Sequence, residues 1–134
     1  GITATVRTVD SIQYKNRLDN YNYDMIVSVW GQSFSPGNEQ QYYWGSESAK
    51  APGSWNYSGL QNQAVDQLID AIIKSKTQEE HLTAVHALDR ALLHLYLVVP
   101  HWHTPEHRYL YWNKFGIPEK TPIKGTNPLT WWMK

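Results

Sequence analysis

Tyr23-Asp24-Met25-Ile26-Val27-Ser28-Val29-Trp30-Gly31 is the stretch on which the reading of this chain turns. Met25 to Val29 is almost uninterruptedly apolar and too short for a helix, so it reads as a core strand covered on both faces, as in parallel α/β sheets. Gly31, Pro36 and Gly37 then turn the chain out of the sheet into a polar loop beginning Gln32-Ser33-Phe34-Ser35. Ligands of open α/β sheets sit beyond the carboxyl ends of strands, which makes Trp30, Gly31, Gln32 and Ser33 the first candidate binding residues. The alternative is that Trp30 plugs the end of the core.

Working outward, Gly1 to Val9 alternates β-branched and polar residues and reads as a further strand. A chain that opens inside a strand is expected to have been cut from a longer one. Asp10, with Gln13 three residues on, predicts a helix start. Tyr14 and Leu18 lie one turn apart on its inner face, and Asn20 to Asn22 end it. Residues 2 to 30 are thus expected to form a right-handed β-α-β unit with parallel strands.

Residues 31 to 60 show no sustained periodicity and read as a long excursion. Tyr42-Tyr43-Trp44 within it suggests aromatic docking against a ligand or another domain, or else rings that hold the loop down. Val65, Leu68, Ile69, Ile72 and Ile73 then follow the helical i, i+3, i+4, i+7, i+8 rule behind a capping Asn62. Thr77 and Glu80 make a capping box for the next helix, whose apolar face is Leu82, Val85, Leu88, Leu92 and Tyr96. The short Lys74 to Lys76 link makes the pair a hairpin. Strand character returns from Val98 to His103 and from His107 to Trp112, with Pro100 and Pro105 confining the segment to a sheet edge or a bulge. Trp131 and Trp132 are expected to dock on something larger than this chain.

Composition narrows the function. The formal net charge is zero, against a nucleic-acid or anionic-membrane surface, and the absence of cysteine excludes disulfides and thiolate metal sites. No apolar run approaches the roughly 20 residues needed to span a bilayer. Seven Trp and nine Tyr against two Phe favour rings with a polar handle, as at a recognition surface. His101, His103 and His107 form the one cluster with metal-ligand character, and it supports a rival reading as a small metal-binding protein or metalloenzyme. Glu106 is its only carboxylate, so neither a metal nor a cofactor is assigned. His81, His86 and His94 lack the H-E-x-x-H spacing, and Asp66, Asp70 and Asp89 read as ordinary helix faces. There is no nucleophile elbow, P-loop or dinucleotide fingerprint, so the chain is not read as an enzyme.

The order of these elements resembles a known family. Its motifs here are G-I-x-A-x-V-x-x-V-D from Gly1, Y-D-M-x-x-x-x-W-G from Tyr23, A-V-D-x-L-I from Ala64 and A-L-D-R-x-L from Ala87. Together they resemble the C-terminal part of bacterial extracellular solute-binding proteins of family 5, the peptide receptors of ABC importers. Gly45-Ser46-Glu47, Ala51 to Asn56, Val99-Pro100-His101-Trp102, Tyr111 to Gly116 and Thr130-Trp131-Trp132 look closest to the Yej-type oligopeptide-binding subgroup.

That resemblance implies a periplasmic, two-lobed α/β parent that traps an oligopeptide between its lobes and delivers it to an inner-membrane permease. This chain would be a fragment of one lobe, a small mixed sheet covered by helices, with residues 1–112 as the lobe segment and 113–134 as the return toward the other lobe. The family's V-P-x-Y/W segment maps onto Val99 to Trp102, which adds Trp102 and His103 to Trp30, Gly31, Gln32, Ser33, Tyr42 and Tyr43 as ligand-binding candidates. Trp30 and Trp102 are expected at one rim, gripping an extended peptide. The acid that relatives carry in the loop after W-G does not occur here until Glu39, so that role is not carried over. A fragment of this kind should not bind peptide by itself and should self-associate through rings its parent covers. A sugar or a nickel chelate is the alternative ligand for such a lobe.

Overall fold

The helical hairpin forms as its capping residues dictate. In the computed structural model, which describes residues 1–134 except His103, Pro105, Glu106, His107 and Lys124, Asn62 Oδ1 accepts from the backbone N–H groups of Ala64 and Val65. Those bonds open a helix over Gln63–Lys74. Thr77 and Glu80 complete the reciprocal capping box that opens a second over Gln78–His94. Val65, Ile69 and Ile72 are 1 to 2% exposed and meet Ala84 and Leu88 across the hairpin, with Trp44, Leu60, Leu68, Val85 and Leu92 around them. Each fully buried aliphatic side chain contributes about 1.5–3 kcal/mol. The apolar face of the second helix is rotated from the expected one: Leu82 and Tyr96 are exposed. Leu82 lies at the edge of the Ala84, Val85, Leu88, Leu92 stripe, and Tyr96 follows the helix end with a positive φ of 51°.

The excursion from 31 to 60 is more ordered than its sequence suggests. It holds two short helices, Glu39–Trp44 and Ser46–Ala49, so in chain order the helices are α1 (Ser11–Asp19), α2, α3, α4 (Gln63–Lys74) and α5 (Gln78–His94). Neither short helix could persist alone. Tertiary bonds hold them. Asp66 on α4 accepts from Ser46 N at 2.9 Å and from Ser46 Oγ at 2.6 Å, fixing the start of α3. Asn56 is fully buried and donates through Nδ2 to Gly45 O and Leu60 O, while its Oδ1 accepts from Ser58 Oγ and Leu60 N. Gly45 is required between α2 and α3, because a Cβ there would lie 2.6 Å from Gln41 O.

The β-α-β expectation is met only in its helix. Asp10 Oδ1 accepts from Ile12 N and Gln13 N to open α1. Residues 2–9 and 23–30 enter no strand ladder. Residues 1–8 are exposed on both faces. Met25, Val27 and Val29 are 83 to 87% exposed, so the stretch expected to be buried on both faces is covered on one. A ladder needs a paired neighbour, and among the described residues neither segment has one. Exposed apolar side chains thus occur here as well as at Tyr42, whereas Tyr43 is buried and Trp44 packs on the core and holds the loop down.

Val99–Lys134 forms a second compact unit, distinct from Gly1–Val98. Tyr109 and Tyr111 of this unit lie against Trp131. The strands expected over 98–103 and 107–112 do not form among the described residues. Instead β1 (Phe115–Gly116) pairs antiparallel with β2 (Trp132–Met133). Trp131, expected to seek an outside partner, packs edge-on to Tyr111 at 4.7 Å between ring centroids and lies near Tyr109 and Phe115. Gly116 lies so close to the Trp132 indole that a Cβ would fall 2.3 Å from it.

Candidate functional site

The site is assembled at the end of the Met25 to Trp30 segment. Tyr14 on α1 donates to Val27 O at 2.6 Å, and Tyr23 donates to Tyr57 O. Burial, then the neighbouring Tyr21, Tyr57 and Tyr14, raises the Tyr23 phenol above its ordinary pKa. Trp30 is half-buried, with ring centroids 5.5 Å from Trp44 and 5.8 Å from Tyr57, and its indole N–H points to Trp55 O at 3.4 Å. Tyr43 donates to Gly31 O at 2.9 Å. An aromatic clamp therefore sets where the loop departs.

Beyond the clamp lies a chain of polar contacts. The buried Gln40 donates through Nε2 to Gln32 Oε1 at 3.0 Å, Gln32 Nε2 donates to Glu39 Oε1 at 3.0 Å, and Ser33 Oγ lies 3.2 Å from the same oxygen. Burial alone would raise the Glu39 pKa. The backbone N–H groups of Glu39 and Gly37 and the Ser33 and Gln32 side chains outweigh it and hold the carboxyl below the ordinary glutamate value. His81 on α5 ties the loop's far side through a 2.7 Å contact between Nε2 and Pro36 O. A carboxylate is thus carried back beside Gln32 and Ser33 although the sequence places it seven residues from Gln32.

Of the candidate residues, the structure gathers Trp30, Gly31, Gln32, Ser33 and Tyr43 into this one arrangement. Tyr42 points elsewhere. It lines, with Trp55, Gly45, Ser48, Asp66 and Ile69, a groove of about 650 Å³ between α2, α3 and α4, a size suited to a small ligand. Trp102 belongs to the second unit and is exposed, and His103 lies outside the described residues. The same holds for His107 and Glu106 of the histidine cluster. Among the described residues no group of three His, Asp or Glu could hold a metal. Sequence reasoning passed over Gln40 and Asn56 and read Asp66 as an ordinary helix face, whereas it holds Ser46. Their roles depend on partners 8 to 20 residues away, and only the polar residue types hinted at them.

No family model matches the chain. Curated proteins do. Over 98% of its length it is 41% identical to the protein of Agrobacterium fabrum named "Probable peptide-binding protein YejA" and 36% identical to that organism's "Peptidoglycan-binding protein YepA". It is 44% identical over its whole length to the "Uncharacterized protein y4wM" of Sinorhizobium fredii. The chain spans only 20 to 22% of the length of these relatives. It is therefore homologous to one stretch of larger proteins, among them proteins named for binding, and none of these three carries the name of an enzyme.

Proposed function

We propose that this chain is part of the substrate-binding component of an ABC importer, which binds oligopeptides in the periplasm and passes them to an inner-membrane permease. The observation that carries the reading is the 41% identity, over nearly the whole chain, to a protein named for peptide binding. The parent is a two-lobed α/β receptor, of which these residues form part of one lobe. The clamp at Trp30 and the loop from Gly31 to Ser33 face the ligand. Glu39 supplies the carboxylate that the resemblance calls for beside the W-G turn. Its position against Gln32 and Ser33 supports that role, and a peptide's terminal amine is the complementary group.

Peptidoglycan-derived peptides are a second reading of the ligand, favoured by the name of the Agrobacterium relative YepA and by the exposed Tyr42 and Trp55 rings along the groove. Calorimetry with a mixed oligopeptide pool and with muropeptides, on the full-length parent and on residues 1–134 alone, tests both. Binding by the parent and none by the 134 residues is expected, since a cleft between lobes needs both. Peptide binding at micromolar affinity by the 134 residues would overturn the two-lobed placement, and a parent that binds neither ligand would overturn the function.

A further inference from the structure

The groove between α2, α3 and α4 carries a charge that neither ligand reading above uses. Its walls are fixed by bonds across the chain: Asp66 holds Ser46, Asn56 holds Gly45, and Ser48 Oγ donates to Tyr42 O at 2.8 Å. Two rings stand open along it, Tyr42 at 64% and Trp55 at 52% exposed, with Trp55 placed by Tyr43 at 6.0 Å between ring centroids. Such a groove is formed before a ligand arrives, so binding spends little on ordering it. Every charged residue lining it is acidic: Glu47, Asp66 and Asp70. Two of these are matched, Glu47 by Lys50 at 2.6 Å and Asp70 by Lys74 at 2.7 Å. Asp66 is not. Its half-buried carboxylate accepts from the N–H and O–H of Ser46, and among the described residues no Lys, Arg or His lies within ion-pair distance of it.

We infer that this groove binds a guanidinium group, packed against the Tyr42 and Trp55 rings and ion-paired to Asp66. An unmatched carboxylate and open aromatic faces attract the same kind of ligand, a cation with a flat body. A guanidinium is planar, stacks on rings, meets a carboxylate with paired donors and is more weakly hydrated than an ammonium, so it gives up less on leaving water. An anion would be repelled by the acids, and a neutral sugar would stack on the rings but leave the Asp66 charge unmatched. The site is complete within Gly1–Val98, unlike the cleft between lobes proposed above, so the assignment is independent of that reading.

Titration of the isotopically labelled 134-residue chain with Nα-acetyl-arginine amide, followed by nuclear magnetic resonance, tests it. Saturable shifts of the Ser46 and Ser48 amides and the Trp55 indole N–H are expected at millimolar concentration, the range for one stacked, ion-paired group. The neutral isostere Nα-acetyl-citrulline amide keeps the shape and loses both attractions, so it should bind about tenfold more weakly. Asp66→Asn retains an acceptor for Ser46 N, and Tyr42→Ala alters an exposed ring and serves if Asp66→Asn fails to fold; each should weaken the arginine derivative about three- to fivefold. No saturation by about 50 mM, equal binding of the citrulline derivative, equal shifts with N-acetylglucosamine, or undiminished binding by the folded variants overturns the inference. A blocked Gly-Arg-Gly tripeptide locates the source of the group: tighter binding than the single residue assigns the groove to an arginine side chain of a polypeptide, equal binding to a free small molecule, and either supports the site. Saturation of the groove in a parent that takes no peptide leaves this site standing and removes the proposed function; an inert groove in a parent that binds peptide does the reverse.

Discussion

Removing the Asn56 side chain should cost more than its polar character suggests. Asn56 is fully buried and makes four bonds, donating to Gly45 O and Leu60 O at 3.0 Å and accepting from Ser58 Oγ at 2.9 Å and Leu60 N at 3.1 Å. In Asn56→Ala, Ser58 is exposed and turns to water, the two Leu60 groups are half-buried, and the buried Gly45 O keeps its 3.3 Å bond from Ala49 N. Stranding a buried polar group costs about 1–3 kcal/mol, so three partial penalties come to about 2 kcal/mol. That is a large share of the 5–15 kcal/mol typical of a whole domain. Asn56→Asp separates donor from acceptor. It keeps the bonds from Ser58 and Leu60 N but sets an acceptor against two carbonyl oxygens, which raises the folded-state pKa of the new carboxyl above its unfolded value of about 3.9. A raised folded pKa means the variant is closest to wild type at low pH and loses stability as pH rises through that folded value. Urea unfolding followed by tryptophan fluorescence and far-ultraviolet circular dichroism reads both effects. A loss below about 1 kcal/mol for Asn56→Ala, or an Asn56→Asp variant equal to wild type at neutral pH, would refute the hub role.

Ile72→Ala should destabilise the chain by about 2–5 kcal/mol, whereas Leu82→Ala, on the exposed edge of α5, should stay within about 0.5 kcal/mol; the same urea titrations measure the contrast, which reverses if the inner face of α5 is the one expected from sequence. The lowered pKa of Glu39 contributes stability that is present above its unfolded value and lost as pH falls through the folded one. Wild type should accordingly show a small acid-side loss below about pH 4 that Glu39→Gln lacks, and matching acid profiles would show that the Gln32 and Ser33 contacts do not persist in solution. Trp30→Ala removes ring contacts to Trp44 and Tyr57 worth about 0.5–1.5 kcal/mol each, in addition to half-burial of the indole. A midpoint shift in the 134-residue chain is therefore expected, and in the full-length parent an affinity loss of about 1–3 kcal/mol; a stability loss with unchanged affinity would reduce Trp30 to a structural plug.

What could be read in the sequence and what could not divide along the distance over which each feature is decided. Asp10, Asn62 and the Thr77–Glu80 pair act on backbone groups two or three residues away, and the Val65, Ile69, Ile72 stripe is a property of one helix, so α1, α4 and α5 were legible. Short α2 and α3 were not. They stand because Asp66 reaches Ser46 across 20 residues and Asn56 reaches Gly45 across 11, and no local pattern encodes either bond. Trp30 shows the same division within one residue: its place at the end of an apolar run was readable, but the rings it meets, Trp44 and Tyr57, lie beyond a polar stretch of no evident periodicity. Glu39 followed suit, set aside as too distant from the W-G turn until the turn into α2 carried it back against Gln32. For Met25 to Val29 the reasoning runs the other way. The apolar run was read as covered on both faces, a pattern that reflects the environment in which a sequence works, whereas these residues cover only one of them.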